Sequence, residues 1–468
     1  MSLHLDFTAM FAETVGKNCG LTKQELEALR PTFSATRADL KQRHETGKLP
    51  FWDLPFADDV VAAVELFATE ARQRFSDFVL LGIGGSALGP IALHQSLNHL
   101  QHNLLPPDQR RGCRFFCPDN VDPDYIGSVW DVVDPAEALF NVVSKSGGTG
   151  ETAAQFLLVV DLLKKRLGNK WREHLVLTTD PEKGMLREFA RREGVAAFPI
   201  DPGVGGRFCV LTPVGLLPAA ITGIDIRELC RGAGALREAC FRENLDDNPA
   251  ALFAALLYLA QTKRNLPIQV MFAYSNRLYP VADWFRQLWA ESLGKRYALN
   301  GSEIFTGPTP VKAVGATDQH SQVQLYVEGP FDKAVVFLGA REFGRELPIP
   351  DLKMSEPDLG YLQGVEFGRL LNAERRATAY ALTRAGRPNM TLELDRIDAA
   401  HIGALLYLLE AATLYGGGFY GVNPLDQPGV EAGKKATYAL MGRAGYEAAR
   451  REMEEFSKRG RMELEVKV

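Results

Sequence analysis

The chain has 468 residues, which at about 150 residues per domain predicts two or three domains. Hydrophobic residues make up 46% of it and charged residues 24%, an ordinary globular mixture that excludes extended disorder and collagen-like structure. The net charge of −5 argues against a chain-wide electrostatic surface for nucleic acid or for an anionic membrane. We therefore expect neither nucleic acid nor a membrane among the partners.

The sequence also predicts a cytoplasmic protein. The most apolar stretches, residues 78–88 and 404–414, are shorter than the ~20 residues that a membrane-spanning helix needs. The first twenty residues lack a basic segment followed by an apolar one, so no secretory signal is predicted. The six cysteines are scattered and form no C-x-x-C pair, which favours free thiols in a reducing compartment over a zinc site or a disulfide framework.

The first half of the chain alternates helical and strand patterns. Residues 1–48 have mostly helical spacing and are predicted to form an N-terminal helical extension. The predicted strands that follow are 77–82, 114–117, 138–143, 174–178 and 197–200, with helices at 59–73, 90–100, 151–167 and 183–193. Continuous apolar strands separated by helices are typical of a parallel sheet that is buried on both faces.

A similar pattern follows in the second half. Helices are predicted at 248–258, 281–293, 362–380 and 399–415, and strands at 268–273, 322–327 and 334–338. We interpret the chain as α/β, with one domain at 49–240, a second at 241–415, and a C-terminal segment, 416–468, packing back on the site. Ligands of open α/β sheets bind beyond the carboxyl ends of the strands, so the loops after the strands are the places to search.

Residues 82–89, Gly-Ile-Gly-Gly-Ser-Ala-Leu-Gly, follow the first of these strands and precede a helix. Glycines allow close approach of a ligand, and amides at a helix N-terminus bind anions. The run fits a dinucleotide fingerprint only if Ala87 takes its last position, and no acidic residue is convincingly placed about 20 residues later. Phosphate contact through Gly85 and Ser86 is predicted, with a tight structural turn as the alternative.

Residues 144–152, Ser-Lys-Ser-Gly-Gly-Thr-Gly-Glu-Thr, also lie between a strand and a helix. Hydroxyls, a lysine and flexible glycines at a helix N-terminus suit a phosphate monoester. The alternative is a helix cap, but capping accounts for one hydroxyl and not for four. This loop is the predicted phosphate site, with candidate residues Ser144, Lys145, Ser146 and Thr149.

Residues 201–208, Asp-Pro-Gly-Val-Gly-Gly-Arg-Phe, follow a short predicted strand. Three glycines that precede Arg207 suggest a guanidinium brought close to a ligand, where it would stabilise a developing oxyanion. A surface salt bridge explains Arg207 equally well.

The segment from Gln287 to Lys295 places Gln287 and Glu291 four residues apart on one helix face. Gly294 is predicted to end the helix, so Glu291 lies in its last turn, where the macrodipole disfavours an anion. A carboxylate held in that place is a candidate general base, and an exposed surface glutamate is the alternative.

Two further segments offer acid or base groups. His320 lies in a polar stretch, and Lys434 lies just beyond Gln427 near the C-terminal end of the chain. Both suit proton transfer, although each could equally be a solvated residue or part of a helix cap.

Together and in this order, these segments resemble the glucose-6-phosphate isomerase (phosphoglucose isomerase) family, in its shorter bacterial form. The matching stretches are Gly84-Gly-Ser86, Ser144-Lys-Ser with Thr149-x-Glu-Thr152, Gly205-Gly-Arg207-Phe, Glu291-Ser-x-Gly-Lys295, Gln319-His320 and Asp426-Gln-x-Gly-Val-Glu-x-x-Lys434. The resemblance implies two sugar-isomerase (SIS) type α/β domains, a homodimer, and neither a metal nor a nucleotide cofactor.

The resemblance also implies a role for each candidate residue. Ser86, Ser144, Ser146 and Thr149 would hold the phosphate near Gly85 and the Lys145 backbone, and Gln287 and Gln427 would hold the substrate. Arg207 and the Gly206 amide would steady an enediolate, and Glu291 would move the proton between C2 and C1. His320, contributed across the dimer interface, and Lys434 would assist opening of the sugar ring.

Two positions depart from the family pattern: Cys209 stands where a hydroxyl residue is usual and Leu425 where an aromatic residue is usual. Neither is a proposed catalytic group, so they bear on substrate preference, including activity on mannose 6-phosphate. The alternatives that remain open are a related sugar-phosphate isomerase or epimerase, a non-catalytic sugar-phosphate-binding regulator, and an NAD-dependent oxidoreductase.

Overall fold

Two mainly parallel sheets, each flanked by helices, carry most of the chain in the computed structural model, which describes residues 1–145, 147–353, 356–457, 460 and 462–466. The strands are β1 (Leu3–Asp6), β2 (Asp77–Leu81), β3 (Arg114–Phe116), β4 (Ala138–Val143), β5 (Leu175–Thr179), β6 (Ala196–Pro199), β7 (Ile268–Ala273), β8 (Lys295–Tyr297), β9 (Glu303–Thr306), β10 (Thr309–Val314), β11 (Lys333–Glu342) and β12 (Asn389–Arg396). The α/β class predicted from the sequence is confirmed.

The helices surround the sheets and also form the C-terminal part of the chain. They are α1 (Ala12–Val15), α2 (Lys23–Ala28), α3 (Arg30–Glu45), α4 (Asp58–Arg74), α5 (Gly85–Leu97), α6 (Pro123–Trp130), α7 (Gly150–Leu167), α8 (Met185–Glu193), α9 (Pro213–Ile221), α10 (Ile226–Cys240), α11 (Pro249–Arg264), α12 (Tyr279–Leu293), α13 (Val323–Glu328), α14 (Phe367–Arg384), α15 (Ala399–Tyr420), α16 (Glu431–Leu440) and α17 (Glu447–Ser457). The chain divides into two compact units, Met1–Pro424 and Leu425–Val468, and α16 and α17 belong to the second.

The first sheet has the order β3-β2-β4-β5-β6, and every neighbouring pair is parallel. All residues of β2, β4 and β5 are buried, because helices cover both faces, and this is why their sequences are mostly apolar. The loops after β2, β4 and β6 leave the same edge of the sheet. Three of the segments singled out in the sequence therefore begin at one edge.

The second sheet has the order β1-β12-β11-β7-β10 and is parallel except for β1, which pairs antiparallel with β12. The sequence analysis expected helices at the start of the chain and did not predict the strand β1. It also missed β10 and β12. A separate two-stranded ribbon, β8 with β9, follows α12 directly.

One predicted strand is wrong: residues 322–327 are not a strand, because Val323–Glu328 forms the helix α13. Six residues are too few to distinguish the two-residue period of a strand from the 3.6-residue period of a helix. In the helix, Gln322 and Tyr326 lie one turn apart, and the Tyr326 hydroxyl donates to Gln322 Oε1. Leu325, which the strand pattern would bury, is exposed.

Helix α15 is longer than the sequence predicted, because Gly416, Gly417 and Gly418 continue it instead of ending it. Among the described residues it is the one helix whose length and composition would suffice to cross a membrane. Its most apolar part is 94% buried inside the protein, as in the core helix of a soluble protein.

Candidate active site

The glycines of the loop after β2 allow separate segments of the chain to meet. Gly84 has a φ of +57°, and a Cβ placed on it would lie 2.8 Å from Gln287 Nε2. A Cβ on Gly85 would lie 2.1 Å from the carbonyl oxygen of Gly206. A larger residue at either position would therefore push this loop away from α12 or from the Arg207 loop. Ser86 follows in the first turn of α5 and is half-buried.

The loop after β4 presents its hydroxyls at the start of α7. Ser144 is buried, and its Oγ accepts a hydrogen bond of 3.1 Å from the Gly147 N–H. Thr149 occupies the N-cap position, yet its side chain makes no capping hydrogen bond. Capping therefore does not explain this threonine, and its hydroxyl remains available to a ligand. Ser146, a predicted phosphate ligand, lies outside the described residues.

The Lys145 side chain connects this loop to the next one. Its Nζ donates hydrogen bonds to the carbonyl oxygens of Pro202, at 2.6 Å, and Val204, at 2.8 Å. Burial lowers the pKa of Lys145. The sequence predicted Lys145 as a residue of the phosphate site, and the attachment of its side chain to the Arg207 loop was missed.

Arg207 is a buried residue whose three guanidinium nitrogens all donate hydrogen bonds, so it is not a surface salt bridge. Its Nε donates to Ser292 Oγ at 3.0 Å and its Nη2 to the Pro424 carbonyl oxygen at 2.9 Å. Its Nη1 donates to Glu291 Oε2 at 2.9 Å. The planar guanidinium is thus fixed in orientation beside the candidate base.

Both carboxylate oxygens of Glu291 accept hydrogen bonds. Oε2 accepts from Arg207, and Oε1 accepts from Gln287 Nε2 at 3.3 Å. The Glu291 side chain is 35% exposed, so water and small molecules still reach it. Lys295 Nζ donates to the backbone oxygens of Glu291, at 2.6 Å, and Ser292, at 2.9 Å, and so satisfies carbonyls that the end of α12 leaves open.

Cys209 supports the turn that carries Arg207. Its thiol donates to the Gly206 carbonyl oxygen at a sulfur–oxygen distance of 2.8 Å. Burial raises the pKa of the Cys209 thiol to about 12, so it stays protonated and remains a donor. The thiol is thus a hydrogen-bond donor at a position where the family that the sequence resembles usually has a hydroxyl residue.

His320 lies on the short helical turn Thr317–His320, beyond the carboxyl end of β10 in the second sheet. Its side chain is exposed, and the described residues show no hydrogen bond between it and the Arg207–Glu291 pair. The turn itself is held firmly: Asp318 Oδ2 accepts from the Val314 N–H at 2.7 Å, and Gln319 Oε1 accepts from the Tyr274 hydroxyl at 2.8 Å.

Gln427 and Lys434 belong to the second compact unit. Gln427 directly precedes the short helical turn Pro428–Val430, and Lys434 lies in the first half of α16. Lys434 Nζ forms an exposed ion pair with Glu431 Oε1 at 2.9 Å. Their proposed roles remain predictions.

Sequence reasoning missed the partners that fix the predicted residues. Ser292 and Lys295 lie in the quoted segment Glu291-Ser-x-Gly-Lys295, but their contacts depend on where α12 ends. The Pro424 carbonyl could not have been found, because a backbone oxygen carries no sequence signal. Among the described residues, no group of three or more His, Cys, Asp or Glu side chains is arranged to hold a metal ion.

Comparison with known proteins agrees with this geometry. The family model for phosphoglucose isomerase matches residues 60–340. Glucose-6-phosphate isomerase of Carboxydothermus hydrogenoformans is 46% identical over 466 residues, which cover 99% of this chain and all of that protein. The enzyme of the same name from Rubrobacter xylanophilus is 45% identical and covers 92% of this chain and 96% of its own.

Two solved structures have the same fold. One, from Thermus thermophilus and described as a hypothetical protein, has a TM-score of 0.82 at 37% identity and covers 94% of this chain and all of its own. A glucose-6-phosphate isomerase from Chlamydia trachomatis has a TM-score of 0.80 at 24% identity and covers 94% of this chain and 90% of its own. The sugar-isomerase fold predicted from the sequence is confirmed, and the chain belongs to the phosphoglucose isomerase family.

Proposed function

We propose that this chain catalyses the reversible isomerisation of glucose 6-phosphate and fructose 6-phosphate through a cis-enediol(ate), in glycolysis and gluconeogenesis. Its relatives named glucose-6-phosphate isomerase, at 45–46% identity over nearly the whole chain, support this activity. The observation that carries the proposal is the Glu291 carboxylate, which is bonded to a buried guanidinium and still open to solvent. An aldose–ketose isomerase needs these two groups side by side.

The sugar phosphate is held at its charged end by the loops after β2 and β4. The ligands are Ser86, Ser144, Ser146 and Thr149, with the backbone at Gly85 and Lys145. The N-terminal ends of α5 and α7 favour an anion there, and the Thr149 hydroxyl is not used for capping. Binding a phosphate remote from the reacting carbons supplies free energy for positioning them.

Glu291 removes the proton from C2 of the aldose and returns it to C1, while the C2 hydroxyl gives up a proton and the C1 oxygen gains one, which gives the ketose. The negative charge that develops on the sugar oxygens is stabilised by Arg207 together with the Gly206 amide. Gln287 keeps Glu291 in place through its bond to Oε1 and contacts the substrate. The link from Lys145 to the Arg207 loop joins the phosphate site to this charge-stabilising site.

Ring opening precedes the proton transfer and uses His320 and Lys434, which exchange protons with the ring oxygen and the C1 hydroxyl. Gln427 supports the substrate at the edge of the site. The active form is a homodimer in the cytoplasm, in which His320 comes from the partner subunit. The exposure of His320 on a firmly held turn suits a residue that serves a second subunit.

The proposed chemistry uses the side chains and backbone amides of the protein and requires neither a metal nor a nucleotide. The test is the conversion of fructose 6-phosphate to glucose 6-phosphate by the purified chain, with a chelator present and no nucleotide added. Turnover supports the proposal, and a parallel assay with mannose 6-phosphate measures specificity. Binding of fructose 6-phosphate without turnover would indicate a regulator instead, and the absence of both would contradict the assigned substrate.

A further inference from the structure

Tyr274 is a fully buried residue directly after β7, and the mechanism above does not use it. Its hydroxyl donates to the side-chain oxygen of Gln319, the residue before His320, at 2.8 Å. Burial raises the pKa of Tyr274 to about 12, so the phenol keeps its proton at neutral pH. A buried tyrosine hydroxyl ordinarily finds a partner, and here the partner belongs to the turn that carries His320.

The Tyr274 ring also shapes the approach to this turn. A Cβ on Gly315 would lie 2.6 Å from three atoms of the ring, so only glycine lets the chain pass across its face. On its other sides the ring packs against Phe272 and Phe337, with centroid distances of 5.0 Å and 5.9 Å. The tyrosine is therefore a rigid support that belongs to the core of the second sheet.

A second anchor, Asp318, fixes the backbone of the turn. Its Oδ2 accepts from the Val314 N–H at 2.7 Å, and its Oδ1 accepts from the Ser321 hydroxyl at 2.7 Å. These bonds hold the two ends of the turn. The Gln319 side chain, next to His320, is held by the Tyr274 hydroxyl instead. Since His320 itself is exposed, its position depends on these neighbours.

We infer that Tyr274 is a positioning residue for His320, because the buried phenol holds Gln319 and thereby the turn that presents the imidazole. The inference rests on the proposed function, in which His320 assists ring opening. Holding a catalytic group in one place before the substrate binds raises the rate, since less freedom is lost at the moment of reaction. The effect belongs to the ring-opening step and not to phosphate binding.

Tyr420 provides a matched control. It is also buried, and its hydroxyl also donates to a glutamine side chain, that of Gln261 on α11. Gln261 in turn donates to the Gly307 carbonyl oxygen, which precedes β10, whereas the turn that carries His320 follows the other end of that strand. Tyr274→Phe and Tyr420→Phe therefore each remove one buried phenol oxygen and one hydrogen bond to a glutamine, but only the first loosens the support next to His320.

The experiment measures kcat and KM for fructose 6-phosphate, and the enzyme-catalysed exchange of the α and β anomers of glucose 6-phosphate by NMR. From the value of one hydrogen bond, Tyr274→Phe should lower kcat and anomer exchange about five- to tenfold and leave KM within about twofold. Gln319→Met should do the same, and the double variant should lose no more than either single variant. Tyr420→Phe should keep kcat within about twofold of the unaltered chain.

The inference is overturned if Tyr274→Phe keeps the full rate, if Tyr420→Phe loses as much, or if the effects of Tyr274→Phe and Gln319→Met multiply. His320→Gln separates this failure from that of the proposed function. If His320→Gln keeps the full rate, the role of His320 is wrong and the inference fails with it. If His320→Gln loses the rate while Tyr274→Phe does not, only the inference about Tyr274 is wrong.

Discussion

Arg207 Nη1 donates a hydrogen bond of 2.9 Å to Glu291 Oε2, and this bond joins the candidate base to the charge that its action requires. While Glu291 is ionised, the two groups neutralise each other. When the carboxylate takes a proton from the sugar, its negative charge passes to the substrate oxygens, beside the same guanidinium. Because its bonds to Ser292 and to the Pro424 carbonyl remain, Arg207 meets that charge without rearrangement.

Removing the base should nearly abolish turnover. Glu291→Gln keeps the shape of the side chain and an oxygen that accepts from Arg207, but an amide does not take up the proton. Since general base catalysis contributes about 10²–10⁴ in rate, kcat should fall by that factor. Binding of a non-reactive sugar phosphate, measured by calorimetry, should change little.

The control for this substitution is Glu303→Gln, which removes an exposed carboxylate of the β8–β9 ribbon that pairs with Arg296. It should leave kcat unchanged. A Glu291→Gln variant that retains most of the activity would show that another residue moves the proton.

Arg207→Lys tests whether Arg207 acts through the geometry of its guanidinium or through its positive charge alone. Lysine keeps the positive charge but lacks the planar fork that bonds Ser292, Glu291 and the Pro424 carbonyl together. Loss of one preorganised donor to an oxyanion costs about 10²–10³ in kcat, and we expect a loss of that size with a smaller change in KM.

Arg227→Lys is the matched control, because Arg227 forms an exposed ion pair with Glu65. Steady-state kinetics should show no change for it. If Arg207→Lys retained the full kcat, charge alone would suffice, and the role assigned to the guanidinium geometry would be wrong.

Thr149→Val tests the phosphate site. The threonine makes no capping hydrogen bond, so the substitution should not weaken α7, but it removes one donor to the phosphate. Loss of one hydrogen bond to a charged group should raise KM for fructose 6-phosphate about tenfold and should affect kcat much less.

Inhibition by inorganic phosphate should weaken in parallel with the rise in KM. Thr69→Val, on the exposed surface of α4, should change neither quantity. An unchanged KM for Thr149→Val would exclude the hydroxyl as a phosphate ligand.

A buried glutamate should make the stability of the fold depend on pH. Glu410, in the middle of α15, is fully buried, and neither of its carboxylate oxygens has a hydrogen-bond partner among the described residues. Burial raises the pKa of Glu410 well above its ordinary value of 4.5. Above that pH the unfolded chain loses this proton while the folded chain keeps it, so stability falls as the pH rises towards the folded-state pKa.

Glu410→Gln removes this titration. The free energy of unfolding of the variant, relative to the unaltered chain, should therefore increase between about pH 5 and about pH 8, with a limiting slope of about 1.4 kcal/mol per pH unit. Urea unfolding at both pH values measures the difference, and Glu65→Gln on the surface is the control. An equal difference at the two pH values would contradict the account.

The sequence predicted those parts of the fold in which local pattern and burial agree. The strands β2, β4, β5 and β7 are mostly apolar, since both faces are covered, and they lie within a residue of where they were expected. The strand β10 was missed because its residues Thr309–Val314 are mostly only half-buried. The glycines in α15 were taken for a helix end, but the helix packs so closely that a Cβ on Gly418 would lie 2.1 Å from the Thr36 side chain.

The candidate site was predictable as a set of residues but not as a set of contacts. The order of the motifs identified Arg207, Glu291 and Gln287, and the structure brings these three together. Nothing in the sequence indicated that Lys145 reaches the backbone of Pro202 and Val204, because tertiary contacts to carbonyl oxygens leave no pattern. The domain boundaries, the dimer and the roles of all the candidate site residues remain predictions.

The central claim is that Glu291 transfers a proton through an enediolate. The most direct test of this claim is to follow the hydrogen on C2. Glucose 6-phosphate labelled with deuterium at C2 is converted to fructose 6-phosphate in ordinary water, and the label is measured by NMR. A base whose side chain is 35% exposed exchanges its proton with solvent, so part of the label should appear at C1 and part in water. Complete retention of the label at C1 would indicate a hydride shift and would contradict the account.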